Sequence, residues 1–453
     1  MQILYDISLS RKHIGTPHGL VRVEVSIARE LLEIDSELKP IWIDNNHKVT
    51  VGKFDDFRIL TDGSSSKNAA FSNFELKAIV PKETSNYLGD LKRIPLKNRL
   101  IVVATYVISL FPDAFSKPLW NISKRLYFFL SKIVKPFRRL FSTTAKSVGA
   151  LGGSNSQSLT SSKSLVLIPG NDWDRRILEF LPTDESSPPK VATIIYDLIP
   201  YDFPHYSVDI ETSGRYTYWI GDIAQRSDYL FFISRFSQER FNVMLKERRI
   251  ESKGKQMVIS LPPGIMPSPE LSVPDFSNEL ESSFILVVCT IEARKNHQIL
   301  VSAIRLAISR NEKLPQLVFI GSPGWGTKQL MHEIDKDEDL RDRIVVKSGV
   351  SDAELRWLYE KCTAVAYPSI VEGFGLPVFE AAVFKKPIIS SDIPVFDEIP
   401  HPLRTKVNPY DTEGWKNALQ NAGSEIEPPG GWQELQLPTW KENVQQMIAF
   451  MSE

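Results

Sequence analysis

"AVAYPSIVEGFGLPVFEAAVFKKPIISSD", residues 364–392, runs from one short apolar stretch to another through a glycine-rich loop and a helical pattern. AVAYPS (364–369) and PIISSD (387–392) read as buried strands, and Pro377 to Lys386 has helical spacing between them. Strand, loop, helix and strand in that order are the unit of a parallel α/β sheet. Pro377 suits the first helical turn, where its missing donor costs nothing. The glycines let the loop backbone come close to a ligand. Amides of Phe374, Gly375 and Leu376 then point outward at the positive end of the helix dipole, which is an anion site. Glu372 precedes those amides and Glu380 follows them, which suits a phosphate-bearing ligand with hydroxyl-rich ends on both sides. For the pair by itself a blander reading stays open: Glu380 favours a helix N-terminus and Glu372 is solvated.

The same alternation extends outward from the motif. SFILVVCT, QLVFIGS and RIVVKSG are strands, NHQILVSAIRLAIS is a helix, and SDAELRWLYEKC is a helix with Ser351 as N-cap and Glu354 closing a capping box. Towards the N-terminus, MQILYDIS is a strand, IGTPHG a loop and LVRVEVSIARELLEI a helix. Further strands are RLIVVATYV, SLVLIPG, KVATIIYDLIP and YLFFIS, and the chain closes on a helix, PTWKENVQQMIAFMSE. The stretch 261–282 holds five prolines and little periodicity, and marks the linker between two domains. The expected organisation is an N-terminal Rossmann-like domain over 1–265, a C-terminal one over 275–432, and a last helix, 433–453, returning to the first. Short apolar strands separated by helices give the class, α/β with doubly wound parallel sheets.

Bulk composition excludes several functions. The chain has 453 residues, too many for one ordinary domain, with 42% hydrophobic and 24% charged residues. A formal charge of −1 argues against nucleic acid as a partner, since phosphate backbones need surplus Lys and Arg. Two cysteines 73 residues apart, Cys289 and Cys362, make neither a disulfide framework nor a metal site. The first residues lack an export signal, and the longest apolar run, 100–111, falls short of the ~20 residues that span a bilayer. A cytoplasmic location is expected.

One segment breaks the pattern. Between Ala114 and Asn171 there is no Asp or Glu, against nine Lys and Arg. Leu119 to Phe141 spaces apolar residues at helical intervals with cations between them, and a Ser/Gly-rich stretch follows. This basic insertion, 114–164, is expected to rest on an anionic membrane surface, which makes the protein peripheral on the inner face of the cell membrane. The competing expectation is a helix docked on the N-terminal core with a solvated basic face.

CTIEARKNH (289–297), LVFIGSPGWG (317–326), SGVSDAELRWLYEKC (348–362) and the opening motif together resemble family 4 of the retaining glycosyltransferases, which have the GT-B fold. The resemblance is close over about 284–400. In the N-terminal half it holds in outline, through the glycine loop, YDLIPYDFP and FFISRFSQERF. It implies a two-domain enzyme that moves a sugar from a nucleotide diphosphate sugar, GDP-mannose by family association, to a glycan acceptor. With the basic segment, a lipid-linked acceptor in bacterial O-antigen, capsule or exopolysaccharide assembly is expected. Glu380 would bind the ribose and Glu372 the transferred sugar. The amides of Phe374 to Leu376 would lie on the sugar and diphosphate, and Lys295 with Arg294 would neutralise the diphosphate. Gly349 and Val350 would lie near the base, and Gly15 and Gly19 would face the diphosphate from the other domain. No metal or other cofactor is implied. Two positions depart from the family: Thr290 stands where relatives carry a second basic residue, and Tyr196-Asp197 where many have His-Asp. His205, close by, has no motif around it. A phosphate-facing Lys295 is expected to have no buried partner. The alternatives are a catalytically silent module of the same fold that binds a glycan or a partner enzyme, and a nucleotide-sugar epimerase.

Overall fold

The computed structural model describes residues 2–7, 19–34, 38–43, 49–51, 164–170, 177–181, 188–422 and 437–453. All of them belong to one compact unit, built from Met1–Ser65 and Asn155–Glu453. The expected strand RLIVVATYV, the basic insertion and Gly15 lie outside the described residues.

Two sheets organise the chain. The first takes β1 (Gln2–Asp6), β2 (Lys39–Ile43), β3 (Val49–Val51), β4 (Ser164–Ile168), β5 (Lys190–Ile195), β6 (Tyr229–Phe232) and β7 (Lys255–Val258) in the order β3-β2-β1-β4-β5-β6-β7. All neighbours are parallel except the β2–β3 edge pair. The second takes β8 (Phe284–Val288), β9 (Gln316–Ile320), β10 (Ile344–Lys347), β11 (Ala364–Tyr367), β12 (Ile388–Ser391) and β13 (Arg404–Val407) in the order β10-β9-β8-β11-β12-β13, parallel throughout. Sequence reading missed β2, β3, β7 and β13. The last two are short and polar, KQMV and RTKV, and owe their extended form to the ladder beside them.

Helices cover both sheets: α1 (Gly19–Ile34), α2 (Ile210–Arg226), α3 (Arg235–Arg248), α4 (His297–Ser309), α5 (Lys328–Lys336), α6 (Asp352–Lys361), α7 (Leu376–Val383), α8 (Thr412–Asn421) and α9 (Trp440–Ser452). That is why β4 and β9 are buried along their whole length: a parallel strand with helices on both faces has no wet side. The Ser351–Glu354 capping box forms as expected and starts α6. A second box, Thr439–Glu442, starts α9. This last helix packs on the first sheet. The Tyr229 hydroxyl donates to the Met451 carbonyl at 2.9 Å, Phe450 meets the rings of Tyr229 and Phe231, and Asn443 Nδ2 donates to Ser260 O at 2.7 Å.

In a doubly wound sheet, neighbouring strands whose connections leave in opposite directions open a crevice at their C-terminal ends. In the second sheet that switch falls between β8 and β11. The loop after β8 carries Thr290 to Asn296 and the loop after β11 carries Ser369 to Gly375. Topology alone brings CTIEARKNH and the EGFG motif together.

Candidate active site

The loop after β8 carries one 3-10 turn, Ala293–Lys295, and is tied to its neighbours. Ile291 and Gly324 join it to the GSPGWG loop, with Gly324 N donating to Ile291 O at 2.7 Å. Asn296, in the left-handed region at φ 59°, turns the chain into α4. Its Nδ2 reaches the carbonyls of Pro368 at 3.2 Å and Pro409 at 2.8 Å. Ile370 N donates to Arg294 O at 2.9 Å. Two loops far apart in sequence are thereby set side by side.

Between them lies a charged cluster. Arg294 Nη1 donates to Glu372 Oε2 at 2.9 Å, and Lys295 Nζ pairs with Glu372 Oε1. Lys295 also donates to the Tyr367 hydroxyl at 2.7 Å, and that hydroxyl donates to Glu372 Oε1 at 2.9 Å. Arg294 Nε lies 3.2 Å from Glu292 Oε2, an ion pair without hydrogen-bond geometry. Lys295 is 7% exposed and Glu372 6%. Burial alone would push the Glu372 carboxyl up, but Arg294 and Lys295 outweigh it and bring it down to about 2. Glu372 is therefore a carboxylate at neutral pH and a poor general base. The expectation of a partnerless Lys295 is corrected here. A cation this deep needs a counter-charge, and Glu372 supplies it.

Neither glutamate of the motif is solvated. Glu380, in α7, accepts from the Tyr359 hydroxyl at 2.6 Å, and its Oε1 lies against Gly264 of the linker. Burial raises its pKa against the pull of that hydroxyl and of Arg22. Phe374 is buried with its edge towards Phe379, and Gly375 sits at φ 107° as the N-cap of α7. Leu376 opens that helix. Gly349, at φ 71°, has open space around it and leads through Val350 into α6. Thr290 is exposed at the end of β8, and Gly19 begins α1.

The Tyr196-Asp197 pair divides. Tyr196 lies in the core and its hydroxyl donates to the Pro169 carbonyl. Asp197 accepts from Ile199 N at 2.9 Å, and burial raises its pKa while Arg294 draws it down. Its position opposite the motif follows from Gly373, where an added Cβ would sit 2.5 Å from the Tyr196 carbonyl oxygen and 2.9 Å from the Asp197 Cβ. His205 sits in an aromatic turn with Phe203 and Tyr206 rather than in the cluster.

Other residues of the site escaped sequence reading. Tyr367 ends a buried strand, and a buried tyrosine hydroxyl needs polar partners, which was the available signal. Ser234 donates to Gly373 O at 2.7 Å and Ser237 to Tyr196 O at 2.8 Å, so the start of α3 grips the motif from the first sheet. Amides of Arg235 and Phe236 donate to Glu398, each at 2.7 Å. Arg22, on α1, pairs with Asp352 at 2.9 Å and also donates to the Gly264 carbonyl. These pairs join the two sheets' domains, and no local pattern could show them.

Residues 273–421 match the family described as Glycosyl transferases group 1. The serotype-specific mannosyltransferase WbdA of Escherichia coli is 28% identical over 216 residues, 46% of this chain and 26% of its own length. The O-antigen chain mannosyltransferase RfbU of Salmonella typhimurium (strain LT2) is 45% identical over 85 residues, 19% of this chain and 24% of its own. The matches thus span about a quarter of the length of these curated relatives. Among solved structures, Anabaena Alr3699/HepE, crystallised with UDP and glucose, aligns over 99% of this chain and 95% of its own. Its TM-score is 0.52 at 15% identity. The architecture is the GT-B fold, two Rossmann-like domains with parallel sheets.

Proposed function

We propose that this chain is a retaining glycosyltransferase that moves a sugar, mannose by preference, from a nucleotide diphosphate donor to a glycan acceptor in bacterial surface-polysaccharide assembly. The observation that carries it is the pair of cations, half-buried Arg294 and buried Lys295, meeting Glu372 at the switch point of the second sheet. The family match over 273–421 and the relatives described as mannosyltransferases support the class and the sugar.

In this reaction the bond from the sugar's anomeric carbon to the diphosphate breaks, and negative charge grows on the leaving oxygens. Arg294 and Lys295, already fixed by their loop, stabilise that charge without reorganising. The amides before α7 add partial positive charge, and Glu380 takes the ribose hydroxyls. Glu372 accepts hydrogen bonds from the sugar. The acceptor hydroxyl attacks from the face the leaving group departs, and its proton passes to the leaving phosphate, so no protein nucleophile is assigned. Two cations of the chain meet the diphosphate's charge, and the reaction is expected to continue in excess chelator. The acceptor is lipid-linked if the basic insertion rests on a membrane.

The test is release of free nucleoside diphosphate from GDP-mannose and a panel of other nucleotide sugars, with and without a lipid-linked oligosaccharide acceptor. Release that needs the acceptor and disappears in Lys295→Ala is the expected result. Binding of donors without release under any acceptor would leave a silent module instead, and interconversion of the donor sugar would mark an epimerase.

A further inference from the structure

The cations that the proposed function assigns to the donor's diphosphate are already engaged. Glu372 spans both, one oxygen on Arg294 and the other on Lys295, and Tyr367 bridges Lys295 and the same carboxylate. Glu292 supplies a second negative charge beside Arg294. Glu372 and Glu292, with Asp197 close by, offset the two cations and cut their attraction for a further anion. A diphosphate brought against Arg294 and Lys295 while Glu372 stays would place like charges together in a buried, poorly screened site. A carboxylate also offers two oxygens in a plane to the same donors that a phosphate would use.

We propose that Glu372 is an internal stand-in for the donor's diphosphate: it occupies Arg294 and Lys295 and is exchanged for the phosphate oxygens when the donor binds. Tyr367 stays as the fixed partner of Lys295 through the exchange, because its hydroxyl accepts from Lys295 and has its proton free to give to a carboxylate or a phosphate oxygen. The inference rests on the proposed function and adds a consequence to it. A sugar-bearing donor returns something to the displaced carboxylate, since sugar hydroxyls donate to it. A bare nucleoside diphosphate returns nothing, and Glu372 competes to recover its cations. The same residue would then hold the sugar before transfer and help expel the spent nucleotide afterwards.

Calorimetric titration with inorganic pyrophosphate, and separately with GDP and UDP, tests this on the full chain. Glu372→Gln keeps the shape and removes the competing charge, so pyrophosphate should bind at least tenfold tighter than to wild type. Arg294→Ala and Lys295→Ala should each weaken it. A merely structural role for Glu372 predicts the opposite sign for Glu372→Gln, because a damaged loop binds anions less well. Should Glu372→Gln fail to fold, Glu372→Asp takes its place with the same expected sign, since the shorter side chain cannot span both cations. Equal or weaker pyrophosphate binding by the variant overturns the exchange, as does the absence of binding in both proteins. Donor turnover by wild type separates the two ideas. Nucleotide release without tighter binding in the variant removes the exchange and leaves the transferase. Tighter binding with no turnover on any donor keeps the exchange and removes the transferase.

Discussion

At the scale of single residues, burial decides what each charge costs. Lys295→Ala removes one of two cations from a carboxylate that stays buried, so two effects are expected together. Turnover should fall by about 100-fold or more, the range for losing one preorganised charge-stabilising group. Stability should fall by about 1–3 kcal/mol, less than for a buried pair broken outright, because Arg294 stays on Glu372. Single-turnover kinetics and urea unfolding read the two separately, and an unshifted urea midpoint would show that Arg294 alone suffices. Glu380→Ala should weaken nucleoside diphosphate binding, whereas Glu372→Ala should chiefly lower turnover of the sugar donor. Bare nucleotide bound by Glu380→Ala as by wild type would remove the ribose assignment.

Titration follows from the same burial. His297 is lowered to about 3 by burial and by Lys295, and His401 to about 4 by burial, both from an ordinary 6.5. Each binds a proton in the unfolded chain before it can in the fold. Their stabilisation is complete above pH 6.5 and drains as the pH falls towards 4 and 3. Glu372 has the same sign over a lower window: its contribution is present above 4.5 and drains towards about 2. Unfolding free energy should therefore decline from pH 6.5 downward, while the raised carboxyls of Glu380 and Asp197 act in the opposite sense as they take up protons. His297→Leu should flatten the upper part. A flat profile between pH 6.5 and 4.5 would contradict the histidine burial.

At the scale of elements, the decisive contact is between the start of α3 and the loop before α7. Gly373 has no room for a side chain because the Tyr196 carbonyl lies against it. Gly375 needs its glycine twice over, for a φ of 107° and for the Phe396 ring, which a Cβ would approach to 2.5 Å. Gly373→Ala should push the first sheet's domain off the motif and break the Ser234 and Ser237 bonds, lowering donor turnover at least tenfold. Glu398→Ala should cost about 1 kcal/mol, as for a lost helix N-cap, because it frees two amides of α3. Melting temperatures and steady-state kinetics of both variants check this. Gly373→Ala with wild-type kinetics would mean that the loop does not need that contact.

At the scale of the molecule, two sheets of one winding order meet through Arg22 on Asp352 and Gly264 and through the α3 contacts. Among the described residues no helix is long and apolar enough to cross a membrane. Membrane contact, if it occurs, falls to the basic segment Leu119 to Phe141, outside those residues. Each cation near an anionic surface contributes on the order of 1 kcal/mol, so the protein should sediment with anionic vesicles at low salt and less so at high salt. Changing Lys132, Lys135, Arg138 and Arg139 to Glu should abolish this and spare transfer to a short soluble acceptor. Indifference to such vesicles at low salt would leave the segment with the N-terminal core.

What the sequence alone determined is whatever repeats locally. Apolar runs marked most strands, helical spacing marked α1, α4, α6, α7 and α9, and Ser351 with Glu354 marked a helix start. The glycine-proline turn brought Glu372 and Glu380 forward, whereas Arg294 and Lys295 came forward only through the resemblance of CTIEARKNH to a family motif. Only the tertiary structure decided what those charges touch. It set Glu372 on Arg294, Lys295 and Tyr367, turned Tyr196 inward while Asp197 stayed by Gly373, and brought Ser234 to a carbonyl 139 positions further along the chain. Local pattern follows from backbone periodicity within a few residues. A buried charge finds its partner through the strand order of a closed fold, and that order joins residues which share no stretch of chain.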